Sequence, residues 1–182
     1  MQFAPTRLPE VLQISPRVFG DARGYFFESW NAREFEAVGI RGPFVQDNHS
    51  HSRRHTLRGL HYQLTRPQGK LLRVTRGEVF DVAVDLRRSS PRFGQWVGVL
   101  LSEDNHTLLW IPPGFAHGYL ALSEEVDFLY KCTEFYVPED ERAVRWDDPQ
   151  IGIHWPLPEG AMPTVSARDG AARLLSAADC FA

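Results

Sequence analysis

The sequence predicts an all-β fold, a jelly-roll barrel of antiparallel strands with one short N-terminal helix and an irregular C-terminal segment. Residues 78–86 show the period of two of a strand, with apolar residues at every second position from Phe80 to Leu86 and both aspartates on the other face. Turn residues such as "SSPRFG" at 89–94 and "PPG" at 112–114 divide the rest of the chain into strand-length pieces. Helical signals are confined to one early stretch, so a doubly wound α/β sheet is excluded.

The predicted helix lies in "SWNAREFEAVGI". Asn31 is a good N-cap, Glu34 stands three positions later as in a capping box, and Gly39 suits the left-handed position after the last turn. Trp30 and Phe35 are then available to the core. We expect a helix of about two turns.

The clearest strand is "EVFDVAVDL" at residues 78–86. Phe80, Val82, Val84 and Leu86 share one face, while Val79, Asp81, Ala83 and Asp85 share the other. One face is expected to be core. The tail from Pro156 onward is rich in Ala, Pro and Ser, and we expect it to pack as irregular structure over one end of the barrel.

Composition excludes several classes of protein. With 182 residues, one domain over residues 1–182 is expected. Its formal net charge is −3, which disfavours binding to a nucleic acid. No apolar run could span a bilayer, and "MQFAPTRLPE" does not resemble a secretory signal, so we expect a cytoplasmic protein with no membrane partner. Cys132 and Cys180 lie outside any C-x-x-C pair and indicate reduced structural thiols.

The stretch "RGLHYQ" at 58–63 places a histidine inside a predicted strand. Strict alternation puts His61 on the side of Gly59 and opposite Arg58. A buried, hydrogen-bonded histidine is one interpretation, and a proton acceptor in a barrel cavity is the other. Since glycine inside a strand often marks a bulge, Gly59 favours the second interpretation, and a bulge there could turn Arg58 into the same cavity.

A second candidate segment is "VDFLYKCTEFYVP". An unbroken strand would turn Tyr130 and Tyr136 to one side together with Phe128 and Cys132. Core packing is the ordinary role of such aromatics, but a phenol facing a cavity can donate a proton or stack on a flat ring.

A metal site is not expected. His61 is followed at the +2 position by Gln63 and not by a second histidine, and no nearby carboxylate completes a ligand set. His49 and His51 in "NHSHSRRH" have Ser and Arg neighbours, which is typical of a loop or a solvated edge.

Seven segments, in order and nearly along the whole chain, closely resemble the dTDP-4-dehydrorhamnose 3,5-epimerase family. They are "PRVFGDARGYFFESW", "FVQDNHS", "LRGLHYQ", "QGKLLRVTRGEVFDVAVDLRRSSPRFGQW", "WIPPGFAHGYLAL", "FLYKCTEFYVPEDE" and "SARD". The resemblance implies a cupin-like jelly-roll homodimer that needs no metal or organic cofactor and acts on a dTDP-linked 4-keto-6-deoxy sugar.

The resemblance also implies roles for individual residues. His61 is the proton acceptor, Tyr130 the proton donor, Asp169 the acid that partners the base, and Lys70 the cation near the keto oxygen. Tyr136 is implied to stack on thymine. The implied substrate contacts are Arg23, Glu28, Gln46, Asp47, Asn48, Arg58, Lys70, His117, Tyr136, Glu141 and Arg168.

Three hypotheses follow. The first is a cofactor-independent epimerase that inverts both C3 and C5 next to the ketone, the carbons whose hydrogens the keto group acidifies. The second is a relative that inverts only C3 or C5 for another deoxysugar. The third is a sugar-nucleotide-binding module or metal cupin without epimerase activity.

Overall fold

The computed structural model describes the whole chain, residues 1–182, as strands with only short helical segments. The two helices are α1 (Ala32–Ala37) and α2 (Ala167–Gly170), and Leu175–Ala177 forms one 3₁₀ turn. The strands are β1 Gln2–Pro5, β2 Leu12–Ser15, β3 Phe19–Asp21, β4 Gly24–Phe26, β5 Gln46–Arg53, β6 Leu57–Gln63, β7 Lys70–Arg76, β8 Glu78–Asp85, β9 Trp96–Ser102, β10 Leu108–Ile111, β11 Phe115–Ala121, β12 Glu125–Cys132 and β13 Glu141–Ala143.

The strands form two larger antiparallel sheets. The six-stranded sheet has the order β1-β2-β10-β7-β12-β5, and the five-stranded sheet has the order β13-β6-β11-β8-β9. Most neighbours are not consecutive in the chain, because connections cross from one sheet to the other as in a jelly roll. Strands β3 and β4 pair only with each other, as a separate hairpin. The predicted all-β jelly-roll fold is confirmed.

The main core fills the space between the two sheets. Strand β8 contributes Val79 and Ala83 to this core, and its alternation was predicted correctly. Its other face is buried too, because Val82 and Val84 pack in a second cluster that includes Leu175 from the C-terminal segment. The expectation that one face of β8 forms core is therefore too narrow, since both faces are covered.

The C-terminal segment covers the outer face of the five-stranded sheet. The Phe181 ring lies 5.7 Å from the Tyr62 ring on β6, and the Tyr62 phenol donates to the carbonyl of Asp179. The tail is largely irregular, as expected, but its part from Leu175 onward covers this outer face and not one end of the barrel. The apolar residues of the tail pack against apolar side chains on this face, which would otherwise be exposed. The same path brings α2 close to β6.

Helix α1 covers the outer face of the six-stranded sheet. Asn31 accepts a hydrogen bond from the Arg33 amide (3.2 Å), as predicted for its N-cap, and Gly39 has φ +87°. Glu34 does not complete the capping box, because its carboxylate binds the N-terminal amine of Met1 at 2.7 Å. Phe35 is fully buried beneath the helix. Neither helix is long and apolar enough to cross a membrane.

Candidate active site

A cavity of about 530 Å³ opens beside strands β6 and β11. Strands β5, β7, β12 and β13, the loop that precedes β13, Thr56 and the segment 164–169 supply the rest of its wall. Nine of the residues that the sequence singled out line it: Arg58, His61, Lys70, His117, Tyr130, Tyr136, Glu141, Arg168 and Asp169.

A bulge between β6 and β11 explains how Arg58 and His61 both reach this cavity. His61 is opposite His117 and Arg58 is opposite Tyr119, so two residues of β6 face Gly118 alone. Gly59 has φ +128°, and a Cβ there would lie 2.5 Å from the Gly118 Cα. The bulge at Gly59 is confirmed, since only glycine fits this close approach.

The His61 imidazole contacts a carboxylate from the far end of the chain. Its Nε2 lies 2.6 Å from Asp169 Oδ1, and the Ser166 hydroxyl accepts the Asp169 amide at 3.0 Å to start α2. Burial raises the pKa of Asp169, but the hydrogen bond with His61, the charge of that imidazole and the hydrogen bonds from Ser166 and Gly59 together outweigh this, and the pKa lies below its usual range. Asp169 is therefore ionised and accepts the Nε2 proton of His61, and in the neutral form of the imidazole Nδ1 then carries the free lone pair.

A second imidazole–carboxylate pair lies on the neighbouring strands. His117 Nε2 lies 2.9 Å from Asp81 Oδ2, and Asp81 is completely buried. The other oxygen of Asp81, Oδ1, has no hydrogen-bond partner. Burial lowers the pKa of His117 against the opposing influence of Asp81, and burial likewise raises the pKa of Asp81 against that of His117. Burial therefore disfavours the charged form of both partners, and the Nε2–H of a neutral His117 donates to Asp81.

Asp81 is a candidate functional residue that was not predicted from the sequence. Alternation placed Asp81 correctly on the face of β8 shared by Val79 and Ala83, which points into the main core. A carboxylate at such a position is itself a signal, because a buried charge needs a specific partner. The buried carboxylate could therefore have been recognised from the sequence. Its partner His117 could not, because the two residues meet only through the pairing of β11 with β8.

Lys70 and Tyr130 lie next to each other on β7 and β12. Lys70 is buried, and its Nζ is 5.9 Å from the centre of the Tyr130 ring. Burial lowers the pKa of Lys70, although the nearby groups of Cys132, Glu141 and Asp81 oppose this. Burial also raises the pKa of Tyr130 to about 12. The cavity thus holds a poorly solvated cation beside a phenol that keeps its proton at neutral pH.

Tyr119 is a second phenol at the cavity that the sequence analysis missed. Its hydroxyl lies 2.9 Å from Ser50 Oγ and 3.0 Å from Ser52 Oγ. The Nε of Arg58 donates to Ser52 Oγ at 3.0 Å, so this network also orients Arg58. Its members come from β5, β6 and β11, and only the sheet pairing reveals it.

Tyr136 reaches the cavity from a loop. Strand β12 ends at Cys132, so parity with Tyr130 does not place Tyr136. Its phenol donates to Glu141 Oε2 at 2.8 Å, and Arg168 pairs with the same carboxylate oxygen. Tyr136 as a residue is 45% exposed, so its side chain is only partly covered.

Five predicted contacts do not line this cavity. Arg23 pairs with Asp21 on the exposed β3–β4 hairpin, at 2.6 Å. Glu28, in the segment after that hairpin, accepts from the Asn31 side chain at 3.3 Å. Both lie outside the cavity of their own chain.

The other three are on β5. Asp47 points to the outer face and pairs with Lys131 at 2.9 Å. Gln46 accepts the backbone amide of Tyr136 at 2.8 Å, and its own amide donates to Asn48 at 2.9 Å. Gln46 therefore acts on the cavity through the backbone of Tyr136, and Asn48 acts through Gln46.

His49 and His51 contact solvent at the edge strand β5. Both rings lie 3.1 Å from the same oxygen of Asp127. No group of three or more His, Cys, Asp or Glu side chains is arranged to hold a metal ion.

Comparison with known proteins identifies the family. The family model described as dTDP-4-dehydrorhamnose 3,5-epimerase matches residues 5–177. A dTDP-4-dehydrorhamnose 3,5-epimerase from Pseudomonas aeruginosa is 57% identical over 175 residues, which cover 96% of each chain.

Solved structures agree with this match. A dTDP-6-deoxy-D-glucose-3,5-epimerase from Legionella pneumophila, in complex with dTDP-4-keto-L-rhamnose, has a TM-score of 0.94 and 51% identity over 98% of this chain and 94% of that chain. A 3′-monoepimerase from Streptomyces bikiniensis, in complex with dTDP-quinovose, has a TM-score of 0.88 and 33% identity over 94% of this chain and 87% of that chain. The chain belongs to the dTDP-4-dehydrorhamnose 3,5-epimerase family and is an isomerase.

Proposed function

We propose that this enzyme inverts C3 and C5 of dTDP-4-dehydro-6-deoxy-D-glucose to form dTDP-4-dehydro-L-rhamnose, without a cofactor, in dTDP-L-rhamnose biosynthesis. The observation that carries the proposal is the 2.6 Å contact of His61 with Asp169 in a cavity that Tyr130 and Lys70 also line. A base, a cation and an acid are the three groups that epimerisation beside a ketone requires. The bound dTDP-4-keto-L-rhamnose named for the Legionella enzyme supports the same substrate class.

His61 is the base of this mechanism. With its Nε2 proton donated to Asp169, the Nδ1 lone pair takes the proton from C3 or C5, and the C–H electron pair moves into the enolate. The ionised carboxylate stabilises the imidazolium that results. A base positioned in this way contributes roughly 10² to 10⁴ in rate.

Lys70 balances the charge that forms on the ketone oxygen. Burial deprives its ammonium of water, so a developing enolate is a better partner than the neutral ketone of the ground state. Such preferential stabilisation is worth on the order of 10² to 10³ in rate for one donor.

Tyr130 completes each inversion. Its phenol keeps its proton because burial raises the pKa to about 12. It delivers that proton to the enolate carbon from the face opposite His61. The poorly solvated phenolate then takes a proton from solvent and the imidazolium of His61 gives one up to solvent, which restores both groups before the next inversion. His61 and Tyr130 on opposite faces of the ring give inversion instead of simple exchange.

The remaining cavity residues bind the nucleotide sugar. The guanidinium of Arg58, held by Ser52, suits a diphosphate oxygen. The partly exposed side chain of Tyr136 suits thymine, and Glu141 and Arg168 fix its phenol. His117 offers its Nδ1 to a sugar hydroxyl while Asp81 holds its Nε2.

Product NMR in heavy water tests the proposal. With the dTDP-linked 4-keto sugar, we expect two inverted centres and deuterium at both C3 and C5. His61→Ala should remove deuterium uptake at both carbons, and normal exchange in that variant would refute the assignment of the base.

Inversion of a single centre is the second candidate, and the likeness to the 3′-monoepimerase favours it. The same spectrum distinguishes the two functions, because a single-centre enzyme returns a product with only C3 or only C5 inverted.

A homodimer is the proposed assembly. The β3–β4 hairpin exposes large apolar side chains, with Phe19 51%, Tyr25 61% and Phe26 66% accessible. Burying such a surface against a second copy is favourable. If Arg23 and Glu28 contact substrate as the resemblance implies, they do so in the cavity of the second copy, because they lie outside their own.

Mixed variants test this arrangement. His61→Ala and Arg23→Ala chains are each expected to have little activity. After mixing and subunit exchange, one cavity of each heterodimer would combine an intact His61 with an intact Arg23, and activity should return. Light scattering that reports a monomer, or no recovery in the mixture, would contradict the proposal.

A further inference from the structure

The loop that carries Tyr136 is held by side-chain amides and not by a sheet. Residues 134–137 lie between β12 and β13 and belong to neither sheet. Tyr136 is almost half exposed, so packing alone does not fix the orientation of its ring. Glu141 holds the hydroxyl end of the ring at 2.8 Å, and hydrogen bonds to the backbone of the loop hold the other end.

Gln63 makes two of these hydrogen bonds. Its Oε1 accepts the Val137 amide at 2.7 Å, and its Nε2 donates to the Phe135 carbonyl at 3.1 Å. The second proton of Nε2 goes to the Arg66 carbonyl at 2.8 Å. The Gln63 amide thus forms hydrogen bonds with the residues on either side of Tyr136, as the backbone of a neighbouring strand would.

Two more glutamines complete the arrangement. Gln46 accepts the amide of Tyr136 itself at 2.8 Å, and Gln68 donates to the Glu134 carbonyl at 2.8 Å. Gln46, Gln63 and Gln68 come from β5, β6 and the loop that follows β6. We refer to these three side chains as the glutamine clamp.

The clamp links the loop to the strand that carries the base. Gln63 is two residues after His61 on β6 and is buried, with 2% of its surface exposed. A strand turns alternate residues to the same side, so β6 presents the imidazole and the amide together. The position of the loop is thereby fixed relative to His61.

We propose that Gln63 and Gln68 are positioning residues that hold Tyr136 ready to stack on the nucleobase, and that they determine affinity for the nucleotide and not the rate of proton transfer. The inference rests on the stacking role proposed above for Tyr136. An oriented ring binds more tightly because less conformational freedom is lost on binding.

Calorimetric titration with dTDP, paired with steady-state kinetics, tests the clamp. Gln63→Glu keeps the shape of the side chain but removes donors. A carboxylate has no proton and a carboxylic acid has one, so it cannot donate to both the Phe135 and the Arg66 carbonyls. We expect the Kd for dTDP and the KM to rise roughly 10-fold, while kcat changes less than about 2-fold. Gln68→Ala, which loses one bond, should raise both by about 3-fold to 5-fold. Gln150→Ala, at an exposed glutamine with no side-chain bond, is the matched control.

A double variant separates positioning from general damage. If the clamp acts through Tyr136, adding Gln63→Glu to Tyr136→Ala should raise the Kd no further. A further 10-fold rise, or a fall in kcat with an unchanged Kd, would overturn the inference. Gln68→Ala at a partly exposed site supplies the same comparison should Gln63→Glu not fold.

The outcomes also separate this inference from the proposed function. A Kd that is unchanged in Tyr136→Ala would contradict the stacking role, and the clamp would fall with it. A Kd that rises in Tyr136→Ala but stays the same in Gln63→Glu and Gln68→Ala would overturn the clamp alone.

Discussion

His61 on β6 and Asp169 on α2 meet at 2.6 Å although 108 positions separate them in the chain. Two local features bring them together. The bulge at Gly59 turns His61 into the cavity, and the N-cap Ser166 starts a single helical turn that aims Asp169 at the imidazole. The proposed base therefore depends on a segment that contributes no strand to either large sheet.

Asp169→Asn should lower kcat by about 10²-fold or more. The amide keeps the size of the carboxylate but cannot stabilise an imidazolium, and it can also present an N–H to His61 Nε2 and favour the wrong tautomer. Deuterium exchange at C3 and C5 should slow in parallel with turnover. Asp147→Asn, at an exposed carboxylate paired with Arg145, is the matched control. An Asp169→Asn enzyme with normal exchange would remove the carboxylate from the mechanism.

Tyr130→Phe should separate proton exchange from inversion. The phenylalanine ring fills the same space but has no proton to deliver, so His61 can still remove a proton and return deuterium to the face it came from. NMR should then find deuterium in unchanged substrate and little inverted product. Tyr119→Phe is the control. It removes a phenol hydroxyl that contacts Ser50 and Ser52, so inversion should persist. Loss of inversion in Tyr119→Phe with its survival in Tyr130→Phe would exchange their roles.

Periodicity predicted the parts of the site that depend on a single strand. Alternation gave the correct faces of β8, and the glycine in "RGLHYQ" indicated the bulge that unites Arg58 with His61. These inferences succeed because a strand's geometry is local and its period is fixed.

Contacts between distant segments were not accessible in that way. The pairing of His117 with Asp81 needs the register of β11 against β8, and the amide contacts of Gln63 need the path of a loop outside both sheets. The approach of Asp169 to His61 was implied only by the family resemblance, since no periodic signal connects the tail to β6.

Gly59→Ala should severely destabilise the fold. A Cβ at this position would lie 2.5 Å from Gly118 Cα and 2.8 Å from the His117 carbonyl oxygen, and both are backbone atoms that cannot move away cheaply. We expect a loss of about 4 kcal/mol or more in the free energy of unfolding, measured by urea denaturation. Gly24→Ala is a close control, because Gly24 has the same φ of +128° with nothing within 4 Å of the added Cβ.

Gly24→Ala measures the backbone strain alone, about 1 to 3 kcal/mol. The difference between the two variants then reports the steric clash at the bulge. If both variants lost the same free energy of unfolding, the backbone at Gly59 and Gly118 could move apart at little cost. The bulge would then not need glycine for space.

Asp81→Asn should raise stability while it lowers activity. Burial raises the pKa of Asp81, so the folded state holds this proton more tightly than the unfolded state does. Folding stability therefore falls as pH rises through about 3.9, the ordinary pKa of aspartate, and remains reduced at neutral pH. The asparagine has no such cost, and burial keeps its partner His117 neutral, so no charge is left unpaired on the imidazole.

Urea denaturation at pH 4 and pH 7 tests this reasoning. The free energy of unfolding of Asp81→Asn should exceed that of the unchanged protein by about 1 to 2 kcal/mol at pH 7, and the excess should shrink at pH 4. The kcat/KM of Asp81→Asn should be roughly 10-fold lower than that of the unchanged protein, because a charge-assisted hydrogen bond to His117 is replaced by a neutral one. A variant that is equally destabilised at both pH values would mean that Asp81 contributes to packing and carries no cost of buried charge.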